Sequence, residues 1–122
     1  MIEGGAPRVA DEERQALRDA VALRVMGWHL QPMDWAYDQQ AQVWHDAASA
    51  SCVPLESWRP DEDDRQTSGV LQAMCAAGFE YLVQGSQQHA RAAFLRDGVV
   101  VAEASAAEWR IAVLRAAVGA RA

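Results

Sequence analysis

Apolar positions recur at helical spacing near the start of the chain. Between Asp11 and Met26 an apolar stripe follows the 3.6-residue period, while acids and arginines occupy most other positions. Asp11 is placed to cap this helix, and Gly27 is placed to end it, because glycine adopts a left-handed backbone without steric cost. The pattern predicts a first helix over residues 11–26 and a short extended segment after it.

Residues 31–60 show no clean period and allow two interpretations. The strand-like segments 42–46 and 52–58 flank a run of small residues at 47–51, which predicts a β-hairpin. A helix over 35–50 is the alternative, because alanine and glutamine favour helices.

A second helix is predicted from Pro60 to Ala77. Proline is favoured in the first turn of a helix, and the acids that follow it complement the positive end of the helix dipole. Asp61 is placed to cap this helix, and Gly78 to terminate it. Cys75 lies on the apolar stripe, so we expect a buried core residue rather than a nucleophile.

Alternating apolar positions after the second helix predict three antiparallel strands, at 79–83, 89–95 and 99–102. Asp97-Gly98 is a strong signal for a tight hairpin turn between the last two strands. Ser105 and Glu108 then have the spacing of a capping box, which predicts a final helix over 106–118.

The final helix has two apolar faces. One contains Trp109, Val113 and Ala116, and the other contains Ile111 and Leu114. A helix with two apolar faces needs cover on two sides. We therefore expect it to lie between a sheet and either a neighbouring helix or a second subunit.

Together these elements predict an α+β fold in the order α-β-β-β-α-β-β-β-α. An antiparallel sheet of four to six strands would be sandwiched between helices. Residues 1–8 are expected to form a flexible N-terminus, and residues 9–120 a single α/β/α sandwich domain.

Composition narrows the class of protein. The chain has 122 residues, 51% of them hydrophobic, which suits one soluble globular domain. No apolar run reaches the roughly 18 residues of a membrane span, and the N-terminus lacks the pattern of a secretory signal. Two cysteines are too few for a disulfide scaffold, so we expect a protein of the cytoplasm.

The formal net charge of −6 is unevenly distributed along the chain. Residues 34–64 contain eight acids and one base, Arg59, whereas the other residues contain nine acids and ten bases. The acidic segment repels phosphate-rich polymers, which argues against duplex nucleic acid as a partner. All 11 bases are arginines, so every positive side-chain contact is made by a guanidinium group.

Three sequence landmarks resemble the phage ABA-sandwich family, small proteins of phages and prophages in which a sheet is layered between helices. The landmarks are Val25-Met26-Gly27-Trp28, Trp58-Arg59-Pro60-Asp61-Glu62-Asp63 and the alanine-rich segment 109–118. Met26, Gly27 and Trp28 match the family's Met-Gly-Trp step, and Trp58, Pro60 and Asp63 match its Trp-x-Pro-Ser-Thr-Asp step. Asp61 and Glu62 depart from that pattern. The resemblance implies a fold and a phage origin, and it carries no agreed chemistry.

Motifs for catalysis or metal binding are missing from the sequence. The three histidines and two cysteines have no local spacing typical of a metal site, and no serine lies in a nucleophile elbow. We therefore expect a non-catalytic protein with no cofactor and no metal. A small nucleotide hydrolase is a minor alternative.

The candidate binding residues are aromatic, acidic and arginine side chains. Arginine suits phosphate contacts, and indole rings suit planar ligands or protein interfaces. For a ligand site we select Trp28, His29, Trp58, Arg59, Asp63, Arg91, Arg96, Arg110 and Arg115. For a protein interface we select Trp35 and Tyr37, which lie in the acidic segment.

These residues support two functional hypotheses. The first is a homo-oligomeric binding protein, encoded by a phage or prophage, that sequesters a small phosphorylated, nucleotide-type signal of host defence in the host cytoplasm. This specific form rests on analogy with other small phage proteins. The second is an acidic interaction module that masks a basic surface of a host protein.

Overall fold

A computed structural model of the protein describes residues 10–32, 42–86 and 88–122. The helices and strands of this part are, in chain order, α1 (Asp11–Ala20), β1 (His29–Pro32), β2 (Gln42–Asp46), β3 (Ser51–Pro54), α2 (Asp64–Ala76), β4 (Glu80–Gly85), β5 (Ala90–Arg96), β6 (Val99–Ala106) and α3 (Trp109–Ala120). The predicted α+β class and order of elements are confirmed. The interface candidates Trp35 and Tyr37, and the expected flexible segment 1–8, lie outside the described residues.

The six strands form two antiparallel sheets of three strands each, where the pattern suggested one sheet. The first sheet has the order β1-β2-β3, and the second has the order β4-β5-β6. Both outer strands of the first sheet end in a proline, Pro32 and Pro54. Proline has no N–H group to donate, so these strands are poor templates for further pairing.

The predicted hairpin over residues 42–58 is confirmed, although its second strand is shorter than expected. Strands β2 and β3 pair antiparallel around a turn at residues 47–50, and Trp44 lies opposite Val53. A 3-10 turn, Leu55–Ser57, replaces the end of the predicted strand. Residues 42–46 are therefore not helical, and the alternative helix over 35–50 is wrong for the described part of that range.

The first helix ends where the sequence predicts, with a change in its winding. A π-helical turn, Val21–Val25, continues α1, and Gly27 then takes a left-handed backbone with φ of 71°. Val21 and Ala22 are fully buried in this wider turn. The glycine turns the chain so that Trp28 folds back toward the core.

The second helix begins later than predicted. Pro60 and Asp61 belong to a turn, α2 starts at Asp64, and the cap is Asp63, whose carboxylate accepts hydrogen bonds from the backbone N–H groups of Arg65 and Gln66. The prediction that Asp61 caps this helix is wrong. Cys75 is exposed, so its predicted burial is also wrong. The buried stripe instead follows the spacing of Thr67, Val70 and Met74.

The second sheet forms as the alternating pattern predicts. Asp97 and Gly98 both have positive φ, 54° and 79°, which suits the tight turn between β5 and β6. An irregularity in register lies between Phe94 and Leu95. The face that includes Ala92 and Phe94 is buried.

Helix α3 lies at the centre of the fold. It packs against β5 and β6 on one side and against α2 and the π-helical turn on the other. Ile111 and Leu114 are fully buried. Neighbouring helices therefore supply the second cover for its two apolar faces.

The predicted capping box of α3 does not form. Ser105 is still in β6, opposite Arg91, and α3 begins only at Trp109. Glu108 occupies the cap position, but its side chain makes no capping hydrogen bond. Strand pairing has extended past the residues that would otherwise have started the helix.

Candidate functional site

A buried cluster of charges joins three separate parts of the chain. Asp61 has no solvent exposure, and its carboxylate accepts hydrogen bonds from Arg14 at 3.0 Å and from Arg18 at 2.6 and 2.9 Å. Arg14 also pairs with Glu108, at the start of α3. The cluster therefore ties α1 to the turn before α2 and to the start of α3.

The environment of Asp61 keeps its carboxyl group ionised. Burial alone raises the pKa of Asp61, but the hydrogen bonds and charges of Arg18 and Arg14 outweigh it and hold the pKa below its ordinary value. A general acid needs the opposite shift. Because this carboxylate is buried and has two arginine partners, we assign it a structural role.

Trp28 and Trp58 come into contact beside this cluster. Their ring centres are 4.6 Å apart in an edge-to-face arrangement, and Trp58 is 4% exposed. The Trp58 Nε1 group donates a hydrogen bond to the Arg18 carbonyl at 3.0 Å. The two tryptophan steps that carry the family resemblance thus pack against each other, and both help to join the first helix to the turn before the second.

Arg59 and Asp63 are engaged in local contacts. Arg59 donates to the Glu56 carbonyl at 2.9 Å and pairs with Glu62 at 3.3 Å. Asp63 caps α2, with its Oδ1 atom 2.8 Å from the Arg65 nitrogen. Both residues stabilise the turn and the helix start.

Three of the four candidate arginines on the second sheet and α3 lie in different places. Arg91 projects from the sheet face opposite the core and pairs with Glu103 at 3.3 Å. Arg96 lies over the Phe79 ring, with its central carbon 4.2 Å from the ring centre, and donates to the Ala77 carbonyl. Arg115 donates to the Ser105 carbonyl at 3.3 Å. The fold does not assemble these side chains into one phosphate site.

The fourth arginine, Arg110, lines a cleft of about 450 Å³ between the end of β4 and the start of α3. Its Nε group donates to Asp64 at 2.7 Å, and its guanidinium lies 5.2 Å from the centre of the Trp109 ring. The cleft is lined by Val83, Gln84, Gly85, Ser86, Ala90, Ala107, Glu108, Trp109 and Arg110. An indole, a guanidinium and a hydroxyl group therefore belong to residues that line one cleft.

The negative charge of Glu108, which lines this cleft, is balanced by a buried arginine. Arg14, whose side chain is 8% exposed, pairs with the Glu108 carboxylate. The Glu108 side chain does not cap the first-turn N–H groups of α3. The cleft therefore combines one compensated carboxylate with the positive end of a helix dipole, which favours a ligand with acceptor groups.

His29 lies apart from the cleft, on the first sheet. Its ring contacts the ring of His45 with the centres 5.0 Å apart. Within residues 10–32, 42–86 and 88–122 no group of three or more histidine, cysteine, aspartate or glutamate side chains is arranged to hold a metal ion. No helix in the same ranges is long and apolar enough to cross a membrane.

The sequence analysis selected Arg110 but missed its neighbours in the cleft. Gln84 lies near the end of β4 and Ser86 directly after it, in a segment without a recognisable motif. Trp109 is half-buried at a helix start that the sequence placed three residues earlier. No sequence signal connects these segments, because they meet only through the packing of α3 on the sheet.

The chain matches no family model, and no curated protein or solved structure is significantly similar to it.

Proposed function

We propose that this protein is a non-catalytic binding protein for a small, planar, anionic molecule of the nucleotide type, held in the cleft beside Trp109 and Arg110. The observation that carries the proposal is the pairing of an indole and a guanidinium at one cleft of about 450 Å³. That volume lies within the roughly 300–1,000 Å³ of typical small-ligand sites.

Each feature of the cleft has a role toward such a ligand. The Trp109 indole offers a flat apolar surface for a base, and Arg110 offers hydrogen bonds to a phosphate. The contact with Asp64 uses only the Nε atom of Arg110, and among the described residues the Nη groups have no hydrogen-bond partner. Ser86 adds a hydroxyl group that can orient the bound molecule.

The described residues that line the cleft do not form a hydrolytic site. Glu108 is held by Arg14, and none of the three histidines lines the cleft. A protein that sequesters its ligand needs only to bind it with sufficient affinity. We therefore propose a ligand-sequestering protein rather than an enzyme. The phage origin, the host-defence signal and the homo-oligomeric state rest on the family resemblance and on analogy.

Calorimetric titration with a panel of linear and cyclic nucleotides tests this proposal. We expect saturable binding of at least one member, weakened about tenfold or more in Arg110→Gln, since a charge-assisted hydrogen bond contributes about 1.5–3 kcal/mol. Arg91→Gln is the matched control, because it removes the same charge from a surface pair on the opposite sheet face. Equal weakening in both variants, or no binding by the native protein, would reject the site.

The acidic interaction module is the second candidate function. Glu56, Glu62, Asp63 and Asp64 are exposed near the turn before α2. Two of them already have arginine partners, Glu62 with Arg59 and Asp64 with Arg110. Two results together would favour this function. The protein would bind a basic host protein with an affinity that falls steeply as the salt concentration rises, and the titration would detect no nucleotide binding.

A further inference from the structure

The first sheet brings together two histidines that lie 16 positions apart in the sequence. His29 on β1 is directly opposite His45 on β2, and His45 is in turn opposite Cys52 on β3. Paired residues of an antiparallel sheet project from the same face. The fold therefore places two imidazoles and a thiol in one row across the sheet.

We propose that His29 and His45 form a binding site for a divalent transition-metal ion such as Zn²⁺, with water in the remaining coordination positions. Their ring centres are 5.0 Å apart and the ring planes are inclined by 64°. Two imidazoles that share one tetrahedral zinc ion have ring centres roughly 5 Å apart, because each Zn–N bond is about 2.0–2.1 Å long. The two rings are thus already at the separation that one shared ion requires.

An unsatisfied nitrogen supports this site independently. The Nδ1 atom of His45 is buried and has no hydrogen-bond partner among the described residues. Buried polar atoms without a partner are rare in folded proteins, and a missing ion or water is one cause. An ion bound at this nitrogen would give it the partner that it lacks.

Gln31 is placed to orient the other ring. Its side-chain nitrogen lies 2.9 Å from the Nε2 atom of His29. The two orientations of a glutamine amide are interchangeable, so this side chain can donate to Nε2 or accept a hydrogen bond from it. Ligating histidines almost always use their second nitrogen in such a contact, which fixes the ring.

The imidazole nitrogens in this row determine which class of metal ion the site prefers. Imidazole nitrogens favour zinc, copper and nickel over calcium and magnesium, which prefer oxygen ligands. Cys52 is an exposed free thiol on the next strand, outside the two-ligand site in the observed arrangement. A site with two protein ligands leaves open positions, which is typical of exchangeable ions rather than of structural zinc.

Titration of Zn²⁺ into metal-free protein, followed by calorimetry, tests the site. We expect one saturable ion per chain, with affinity reduced at least about tenfold in His29→Gln, because an intact ligand pair is needed. His89→Gln is the matched control, since His89 is exposed and lies before β5 on the second sheet. Circular dichroism of each variant checks that the fold is kept.

The outcomes separate clearly. Loss of binding in His29→Gln with retention in His89→Gln supports the site, and so does Ni²⁺-induced broadening of nuclear magnetic resonance signals confined to residues near positions 29 and 45. No saturable binding by the native protein overturns it, as does an unchanged affinity in His29→Gln. Binding of half an ion per chain together with dimer formation would also overturn the proposal, because the proposed site consists of one chain's two histidines and water.

Discussion

Two junctions between elements of this fold are stabilised by different kinds of interaction. The second sheet meets α3 through small and aromatic side chains, where Ala92, Phe94, Ala116 and Ala117 are all 1% exposed or less. Helix α1 meets the turn before α2 through charge, with Asp61 enclosed by Arg14 and Arg18. One junction is apolar and the other is ionic, although both are buried.

This difference has consequences for stability. Apolar contacts contribute in proportion to the area that they remove from water, and they do not depend on protonation. A buried ion pair offsets its large desolvation cost only while both charges and their hydrogen bonds are present. The ionic junction is therefore more sensitive than the apolar one to a single substitution and to pH.

The largest expected effect is the loss of charge at Asp61. Asp61→Asn leaves Arg14 and Arg18 without their buried counter-ion, and breaking such a pair costs about 3–5 kcal/mol of the free energy of unfolding. Urea denaturation followed by circular dichroism measures this loss.

Glu103→Gln is the control for this substitution. It removes the same charge from a pair with Arg91 whose side chains are 51% and 44% exposed. An exposed pair contributes about 0–1 kcal/mol. If Asp61→Asn cost no more than Glu103→Gln, the ionic junction would not hold the two parts together.

The second expected effect is a dependence on pH. Because the pKa of Asp61 is lower in the folded protein than in the unfolded chain, its stabilising effect is complete above its ordinary value of about 3.9 and is lost as the pH falls below it. The difference in the free energy of unfolding between the native protein and Asp61→Asn should therefore narrow as the pH falls below about 4.

Asp46, whose pKa is lowered mainly by its hydrogen bond with Ser49, contributes equally to both proteins and cancels in this difference. Denaturation curves across the pH range measure the difference. A constant difference would show that the carboxylate of Asp61 is not the group that titrates.

A smaller effect is expected at the apolar junction. Ala116→Gly removes one methyl group from a buried position of α3 in this junction, and glycine in a helix interior costs about 1 kcal/mol relative to alanine. The loss should stay the same across the pH range in which the Asp61 difference narrows, because no titrating group is removed. A pH-dependent loss would mean that the two junctions are coupled.

Part of the fold could be predicted because its signals are local. Gly27 and the Asp97-Gly98 turn were identified from their backbone preferences, and both have the expected positive φ. The order of helices and strands followed from changes in hydrophobic period. Element starts were less predictable, since Asp61 and Asp63 are chemically equivalent as caps in sequence, and only the approach of two arginines from α1 distinguishes them.

The candidate sites depended on contacts between distant segments. Arg110 was identified as a binding residue, but the opposite side of the cleft comes from the end of β4, more than 20 positions away. His29 and His45 were considered for metal binding and rejected for lack of local spacing. Their pairing is a consequence of strand register, which single-residue patterns do not reveal.

The sequence by itself determined which segments become helices and strands, where the chain turns at glycine, and that positive contacts are made by arginine. Tertiary structure decided that the strands form two sheets, that Asp61 is buried rather than a cap, and which side chains share the cleft and the histidine row. Local preferences act over a few residues through backbone sterics and hydrogen bonding. Burial and pairing of charges depend on which distant surfaces pack together, and that is settled by the whole chain.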